Sequence, residues 1–414
     1  MSECETFDVV VIGGGPAGAT AATDLARRGH AVLLLDRGGR IKPCGGAIPP
    51  KAIEEFDLPD ELLVAKIHAA RMVAPSGRFV DMPIEGGYVG MVDRGPFDEW
   101  LRARAADAGA RRITGSFKTL TRDADGMARI HYRPDDADAS TPLHQVRART
   151  VIGADGALSS VARQCIPGAK ELPHVAAYHE IVLAPSTASD AYDPQRCDVY
   201  YQGQLSPDFY AWIFPHGETI SIGIGTELKG FSLRDAVTRL RAATGLDRCE
   251  TLRREGAPIP LHPLSKWDNG NDLVLAGDAA GVVAPASGEG IYYAMVGGRL
   301  AADAVAERLR TGDPRALTQA RKRFMRAHGR VFWILGIMQR FWYKNDRRRE
   351  RFVSICADPD VQHLTWEAYM HKRLVRAKPA AHLRIFLKDT AHLLGFVTPW
   401  KKDDAPRPQN RDQV

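Results

Sequence analysis

The stretch Phe7 to Asp36, FDVVVIGGGPAGATAATDLARRGHAVLLLD, decides how this chain folds. Phe7–Ile12 is a short apolar run of strand type, Gly13, Gly15 and Gly18 supply GxGxxG at a turn, and Ala17–Arg28 reads as a helix. Ala31–Leu35 is a second buried strand, closed by Asp36, 18 residues after Gly18. In such a unit the glycines have separate jobs: a tight turn, close backbone approach to a pyrophosphate, and close packing of helix on strand. The helix N-terminus offers free N–H groups and a positive dipole end to phosphate, and Asp36 can accept from a ribose hydroxyl. A lone GxGxxG is weak. Strand, glycines, helix, strand and acid in register predict a dinucleotide site, with Pro16, Ala17 and Arg37 beside those glycines and Asp36.

Around this unit, 414 residues with 44% apolar and 26% charged content imply a folded protein of two or three units. The net charge of +6 is modest, but a dense basic block lies between Arg321 and Arg351. Cys4, Cys44, Cys165, Cys197, Cys249 and Cys356 form no CxxC pair and meet no paired histidine spacing, which argues against zinc or a disulfide framework. MSECETFD fits neither a signal nor a transit peptide, so a cytoplasmic protein is expected. The longest apolar helical run, Val331–Met338, is bounded by Arg330 and Arg340 and is too short to span a bilayer.

Two more nucleotide-type signatures follow. In VIGADGALSSVAR, a strand ends at Gly153, Asp155 and Gly156 form a turn, and a helix starts near Ser159. In DLVLAGDAAGVVAPASGEG, a strand delivers Gly277, Asp278 and Ala279 into a turn, and Gly288, Gly290 and Ile291 open a long helix. Their spread predicts a discontinuous nucleotide domain made of residues 1–65, 97–109, 150–165 and 270–312. Alternating runs such as DVYYQ and TISIGIG predict an antiparallel-sheet substrate domain over 66–96 and 170–265. Asp123–Gln145 reads as a polar surface hairpin or loop, 314–397 as a basic helical region, and 398–414 as a disordered tail.

These three signatures match the FAD fingerprints of the flavoprotein superfamily that holds aromatic hydroxylases and geranylgeranyl reductases. The chain therefore resembles that group, which implies an α/β, Rossmann-like FAD-binding domain joined to the antiparallel sheet and helical region. Val92-Asp93-Arg94 followed by Phe97-Asp98-Glu99-Trp100-Leu101 resembles its DR…FD..L segment, which implies that Arg94 touches the flavin. The other reading of Arg94 is an ion pair with Asp93 or Asp98.

Two segments resemble geranylgeranyl reductases in particular. RIKPCGGAIPP carries the PCGG of that family, which implies Cys44, Gly45 and Gly46 beside the isoalloxazine. Tyr210-x-Trp212-x-Phe214-Pro215, seven residues, then Gly223-x-Gly225 is similar to its YxWxFP…GxG motif, which lines an isoprenoid groove. On a strand, Tyr210, Trp212 and Phe214 share one face, as an aromatic wall for a hydrocarbon requires and as an ordinary core face also would. KPCGGAIPP, GYVGMVDR and ASGEGIYYAM look most like the (bacterio)chlorophyll-type members.

The resemblance implies a reductase that uses FAD, with NADPH as co-substrate, to saturate double bonds of geranylgeranylated bacteriochlorophyll or geranylgeranyl diphosphate, ending at phytyl. An isolated alkene needs a proton as well as a hydride. Cys44 is the candidate proton donor, or else it only shapes the pocket. Two alternatives remain open: a flavin monooxygenase of the same superfamily, and a non-catalytic flavin- or pigment-binding protein. A WxWxIP segment of halogenase type is not present.

In the basic block, Phe324, Val331, Leu335, Met338 and Trp342 recur at helical spacing among arginines and lysines. This pattern suits either an interfacial helix on the cytoplasmic face of an anionic membrane or a packed helix with a solvated charged face. No stacking platform accompanies the charge, so nucleic acid is not expected.

Overall fold

The computed structural model describes residues 4–39, 41–138 and 140–372. The stretch 373–397 and the tail expected at 398–414 lie outside the described residues. The described residues divide into two compact units: those within 1–48, 92–177 and 256–337 form the first, and those within 49–91, 178–255 and 338–372 the second.

The first unit is built on parallel strands. Thr6–Ile12 lies between Val32–Asp36 (Val10 opposite Leu33) and His144–Gly153 (Val10 opposite Val151). Leu273–Leu275 extends the sheet beyond His144–Gly153, and Arg111–Arg122 extends it beyond Val32–Asp36, both again parallel. Val9–Val11 and Leu33–Leu35 are almost wholly enclosed, as unbroken apolar strands in a covered parallel sheet must be. The helices Pro16–Arg27 and Ile291–Thr311 pack together here with almost no side chain between them. A Cβ on Gly298 would stand 2.1 Å from the Ala17 carbonyl oxygen.

The polar stretch 123–145 contains the strand Ala128–Pro134, antiparallel to both Arg111–Arg122 and His144–Gly153. Ala128, Ile130 and Tyr132 alternate inward. The acidic turns on either side mask this period-2 signal in the composition.

The second unit carries a seven-stranded sheet in the order Thr251–Pro260, His174–Leu183, Thr219–Thr226, Ala211–His216, Arg196–Tyr200, Ala69–Val73 and Phe79–Pro83. The pair Arg196–Tyr200 and Ala69–Val73 is parallel, an exception to the antiparallel expectation. On one face, Ala211, Ile213, Ile220, Ile222 and Ile224 pack with Ala236, Val237 and Leu240 of the helix Leu233–Thr244. That helix starts where Ser232 accepts from Asp235 N–H and stops at Gly245, whose φ of 70° only glycine adopts at little cost. Alternation then commits Trp212, Phe214, Ser221 and Gly223 to the opposite face.

Candidate functional site

The glycine turn separates its three tasks in space. Gly13 has φ 106°, and a Cβ there would lie 2.3 Å from the Ala154 carbonyl oxygen. Gly18 sits under the turn, where a Cβ would fall 1.8 Å from the Gly13 carbonyl oxygen. At Gly15 a Cβ would meet nothing within 4 Å, so this glycine borders open space. Gly15 is also the N-cap of Pro16–Arg27, without a side-chain cap, and Pro16 occupies the first turn. The first N–H groups of that helix, with the positive end of its dipole, thus border space of the kind a pyrophosphate fills.

Asp36 ends the next strand and is held from two sides. Arg102 Nη1 lies 3.3 Å from its carboxylate and 3.4 Å from the Gly14 carbonyl oxygen. Burial pushes the Asp36 carboxyl up, against hydrogen bonds from the Gly14 and Arg37 N–H groups and the charge of Arg102. Arg37 itself is exposed. Arg102 escaped the sequence reading. It lies two turns into the helix Arg94–Asp107 and meets Asp36 only through the fold.

The third signature comes to the same place. Gly277 has φ 63° and a Cβ on it would stand 2.7 Å from Ala17 Cβ, while a Cβ on Gly290 would lie 3.8 Å from Asp278 Oδ1. Ala279 and Ile291 are buried, and Ile291–Thr311 begins at Gly290 with no side-chain cap. Asp278, only 8% exposed, is ion-paired with Lys42 of the KPCGG segment. Lys42 is a second residue the sequence did not single out. Gly288 is in the left-handed region at φ 66°.

Asp155 has a different employment. Its carboxylate accepts from Ser159 Oγ and from the N–H groups of Ser160 (2.6 Å) and Val161 (3.2 Å), so it caps the helix Ser160–Cys165. Burial pushes its carboxyl up despite those bonds. Gly156, at φ 88°, makes the turn.

Arg94 and Cys44 meet. The Gly46 N–H points at the Cys44 sulfur at 3.4 Å, and the Arg94 guanidinium lies near enough to the same side chain for the two to interact electrostatically. Arg94 is also paired with Asp98, and it is buried. Burial opposes its charge, but the neighbouring Asp98 and Cys44 outweigh that and drive its pKa up, so it stays cationic. Gly45 is half-buried, and Gly46 turns the chain at φ 72°.

These residues fit FAD. The open cradle at Gly15 and the uncapped helix start at Pro16–Gly18 suit the pyrophosphate. Asp36 suits a ribose and Asp278 the ribityl hydroxyls. The second uncapped helix start, at Gly290–Ile291, would face the ring edge, with Cys44 and Arg94 as further neighbours.

The remaining predicted residues belong to the second unit. Tyr210, Trp212 and Phe214 form a row with ring centroids 6.0 and 6.2 Å apart, and Phe209 stacks on Tyr210 at 4.3 Å. Gly223 is directly opposite Trp212 across the strand pair. Pro215 follows on the same strand, and Gly225 N–H donates to the Tyr210 carbonyl at 3.2 Å.

In the helix Thr318–Trp342, Phe324 is fully buried between Trp267, Tyr293 and Phe332, and Trp342 is 9% exposed. The expected interfacial stripe therefore begins and ends in packed surroundings. Periodicity marks an apolar face without saying what covers it. The exposed apolar side chains are instead Trp333 (68%) and Ile337 (47%), which continue the face of Arg326 and Arg330 at steps of three and four. Among the described residues no helix is long and apolar enough to cross a membrane.

Residues 7–182 match the pyridine nucleotide-disulphide oxidoreductase family. Over 393 residues the chain is 57% identical to a geranylgeranyl diphosphate reductase of Rhodobacter capsulatus, covering 95% of this chain and 99% of that one. It is 35% identical over 407 residues to the chloroplastic geranylgeranyl diphosphate reductase of Oryza sativa, covering 93% and 86%. Among solved structures, a geranylgeranyl bacteriochlorophyll reductase-like protein from Thermoplasma acidophilum aligns with a TM-score of 0.76 at 22% identity, over 91% of this chain and 99% of that one. A flavin-dependent brominase aligns at 0.71 and 16%, over 93% and 99%. Those two structures speak to the fold, a mixed α/β fold of the kind flavoenzymes use. The sequence relatives carry the family: this chain belongs to the geranylgeranyl diphosphate reductases, a family of oxidoreductases.

Proposed function

We propose that the protein saturates isolated double bonds of a geranylgeranyl chain, carried on bacteriochlorophyll or as the free diphosphate, and so forms the phytyl group. The observation that carries this reading is the aromatic row Tyr210–Trp212–Phe214. Trp212 and Tyr210 are 6% and 8% exposed. A face of successive aromatic rings suits a hydrocarbon that offers no hydrogen bonds. The 57% identity to the Rhodobacter capsulatus reductase gives it chemical direction.

Each double bond must take up one hydride and one proton. FAD, reduced by NADPH, would supply the hydride. A trisubstituted alkene has no carbonyl to receive negative charge, so the proton matters as much. Cys44 is the donor we assign. Its sulfur receives the Gly46 N–H, and the buried Arg94 guanidinium is a charged neighbour. The positive charge of Arg94 would favour the thiolate that remains after transfer. Asp98 keeps Arg94 in that place.

The exposed face Arg326–Arg330–Trp333–Ile337 gives the protein a means to reach a pigment dissolved in a membrane. Basic residues meet anionic headgroups there while the indole enters the interface.

The test is anaerobic turnover with FAD, NADPH and geranylgeranyl-bacteriochlorophyllide in detergent, followed by mass spectrometry. Mass gains in steps of two hydrogens, ending at the phytyl ester, are expected. Gains on free geranylgeranyl diphosphate alone would move the substrate assignment. Substrate-dependent oxygen uptake with no mass gain of this kind would replace reduction with hydroxylation.

A further inference from the structure

Trp212 begins a line of hydrogen bonds that crosses neighbouring strands of the second unit's sheet. Its Nε1–H donates to Ser221 Oγ at 3.0 Å. Ser221 Oγ lies 2.9 Å from His179 Nδ1, and His179 Nε2 lies 3.1 Å from the Glu255 carboxylate. The strands involved, Ala211–His216, Thr219–Thr226, His174–Leu183 and Thr251–Pro260, are consecutive in the sheet.

Chemistry sets the direction of each bond. The Glu255 carboxyl is held below its ordinary value, chiefly by the bond from His179, so it is ionised and only accepts. His179 Nε2 must then carry a proton, and in the tautomer that carries only that proton Nδ1 accepts. Ser221 O–H donates to Nδ1 while its oxygen accepts the indole N–H. Donor meets acceptor at every step.

An acid, a histidine and a serine in a row also activate nucleophiles. Two features set that use aside. Ser221 has no exposed surface, and its oxygen already receives the indole N–H. An indole N–H surrenders no proton near neutrality, so the line delivers nothing beyond Trp212. What it does is orient the ring. Gly223 completes the seat: a Cβ there would stand 2.3 Å from Trp212 Cζ2 and 2.6 Å from His179 Cβ. The indole lies over bare backbone and is tethered at its one polar atom.

We propose that Ser221, His179 and Glu255 are positioning residues whose hydrogen bonds hold the Trp212 indole at one angle, and that this angle sets how the aromatic row grips the isoprenoid chain. The second half rests on the reading of that row as the prenyl-binding surface.

The experiment uses the full-length chain labelled with 5-fluorotryptophan, and Trp212→Phe identifies its resonance among the 7 tryptophans. Wild-type protein is expected to give one narrow Trp212 line. Ser221→Ala is expected to shift that line and to broaden or split it. Glu255→Ala should do the same, and because that side chain is 17% exposed the change opens no deep cavity. Glu255→Gln, whose amide oxygen still accepts from Nε2, should keep the wild-type line. An unmoved Trp212 line in both alanine variants would overturn the proposal. The second readout is KM for geranylgeranyl diphosphate, expected to rise about tenfold in Ser221→Ala with kcat within about twofold, the scale of one buried hydrogen bond. A disturbed line with unchanged KM would keep the tether and overturn its link to the isoprenoid chain.

Discussion

Arg94 and Asp98, one helical turn apart, form a two-pronged ion pair (Nε to Oδ1 3.0 Å, Nη2 to Oδ2 2.7 Å) with both side chains below a tenth exposed. Removing one partner of such a pair leaves an uncompensated charge in the interior. Asp98→Ala is expected to cost about 3–5 kcal/mol of stability. Thermal or urea unfolding reads it directly. A loss near zero would mean that water reaches Arg94 and that the pair does not hold Cys44's neighbour in place.

The two central glycines should fail in different ways. In Gly18→Ala the new Cβ collides with the backbone of Gly13, so the expected result is a misfolded or strongly destabilised chain. In Gly15→Ala the backbone is relaxed, with φ −75°, and the Cβ enters open space. That variant should keep its circular dichroism and melting point while losing bound flavin after desalting. Retention of flavin by Gly15→Ala would remove the pyrophosphate from this turn.

Glu255 supplies a pH signature. Its folded pKa lies below the ordinary 4.5, mainly through the bond from His179. A carboxyl lowered by folding adds stability that is fully present above 4.5 and is lost as pH falls through the folded value. The melting temperature of Glu255→Gln should therefore fall less than that of the wild type when pH is lowered from about 6 to about 4. Parallel curves for the two proteins would deny the coupling.

The Trp333 face makes a prediction in vesicles. Wild-type protein should float with anionic liposomes at low salt and partly detach at high salt, since exposed charges are screened within about 10 Å at 0.1 M. Trp333→Ala with Ile337→Ala should weaken flotation at either salt, and Arg326→Gln with Arg330→Gln should weaken it at low salt alone. Flotation indifferent to all four changes would place the contact elsewhere or nowhere.

What the sequence made legible is what local sterics govern. The turn from Gly13 to Gly18 follows from backbone geometry within a few residues, and alternation put Tyr210, Trp212 and Phe214 in one row. The pairs Asp36–Arg102 and Asp278–Lys42 were out of reach, because their partners are separated by 66 and 236 positions and no periodicity links them. Asp155 was legible as a turn residue, yet only coordinates show its carboxylate spent on capping a helix. Phe324 and Trp342 illustrate the same boundary from the apolar side: spacing identified a stripe, and packing decided that its ends face inward.

Ala17 is where three remote parts of the chain touch. Gly277 reaches its Cβ, Gly298 reaches its carbonyl oxygen, and Gly13–Gly18 surround it in sequence, with no long side chain between them to yield. Parts joined backbone to backbone have little freedom to loosen one at a time. The opening helix, the Gly277 turn and the Ile291–Thr311 helix should therefore exchange amide hydrogens as one cooperative block. A protease would then meet this region either entirely closed or entirely released.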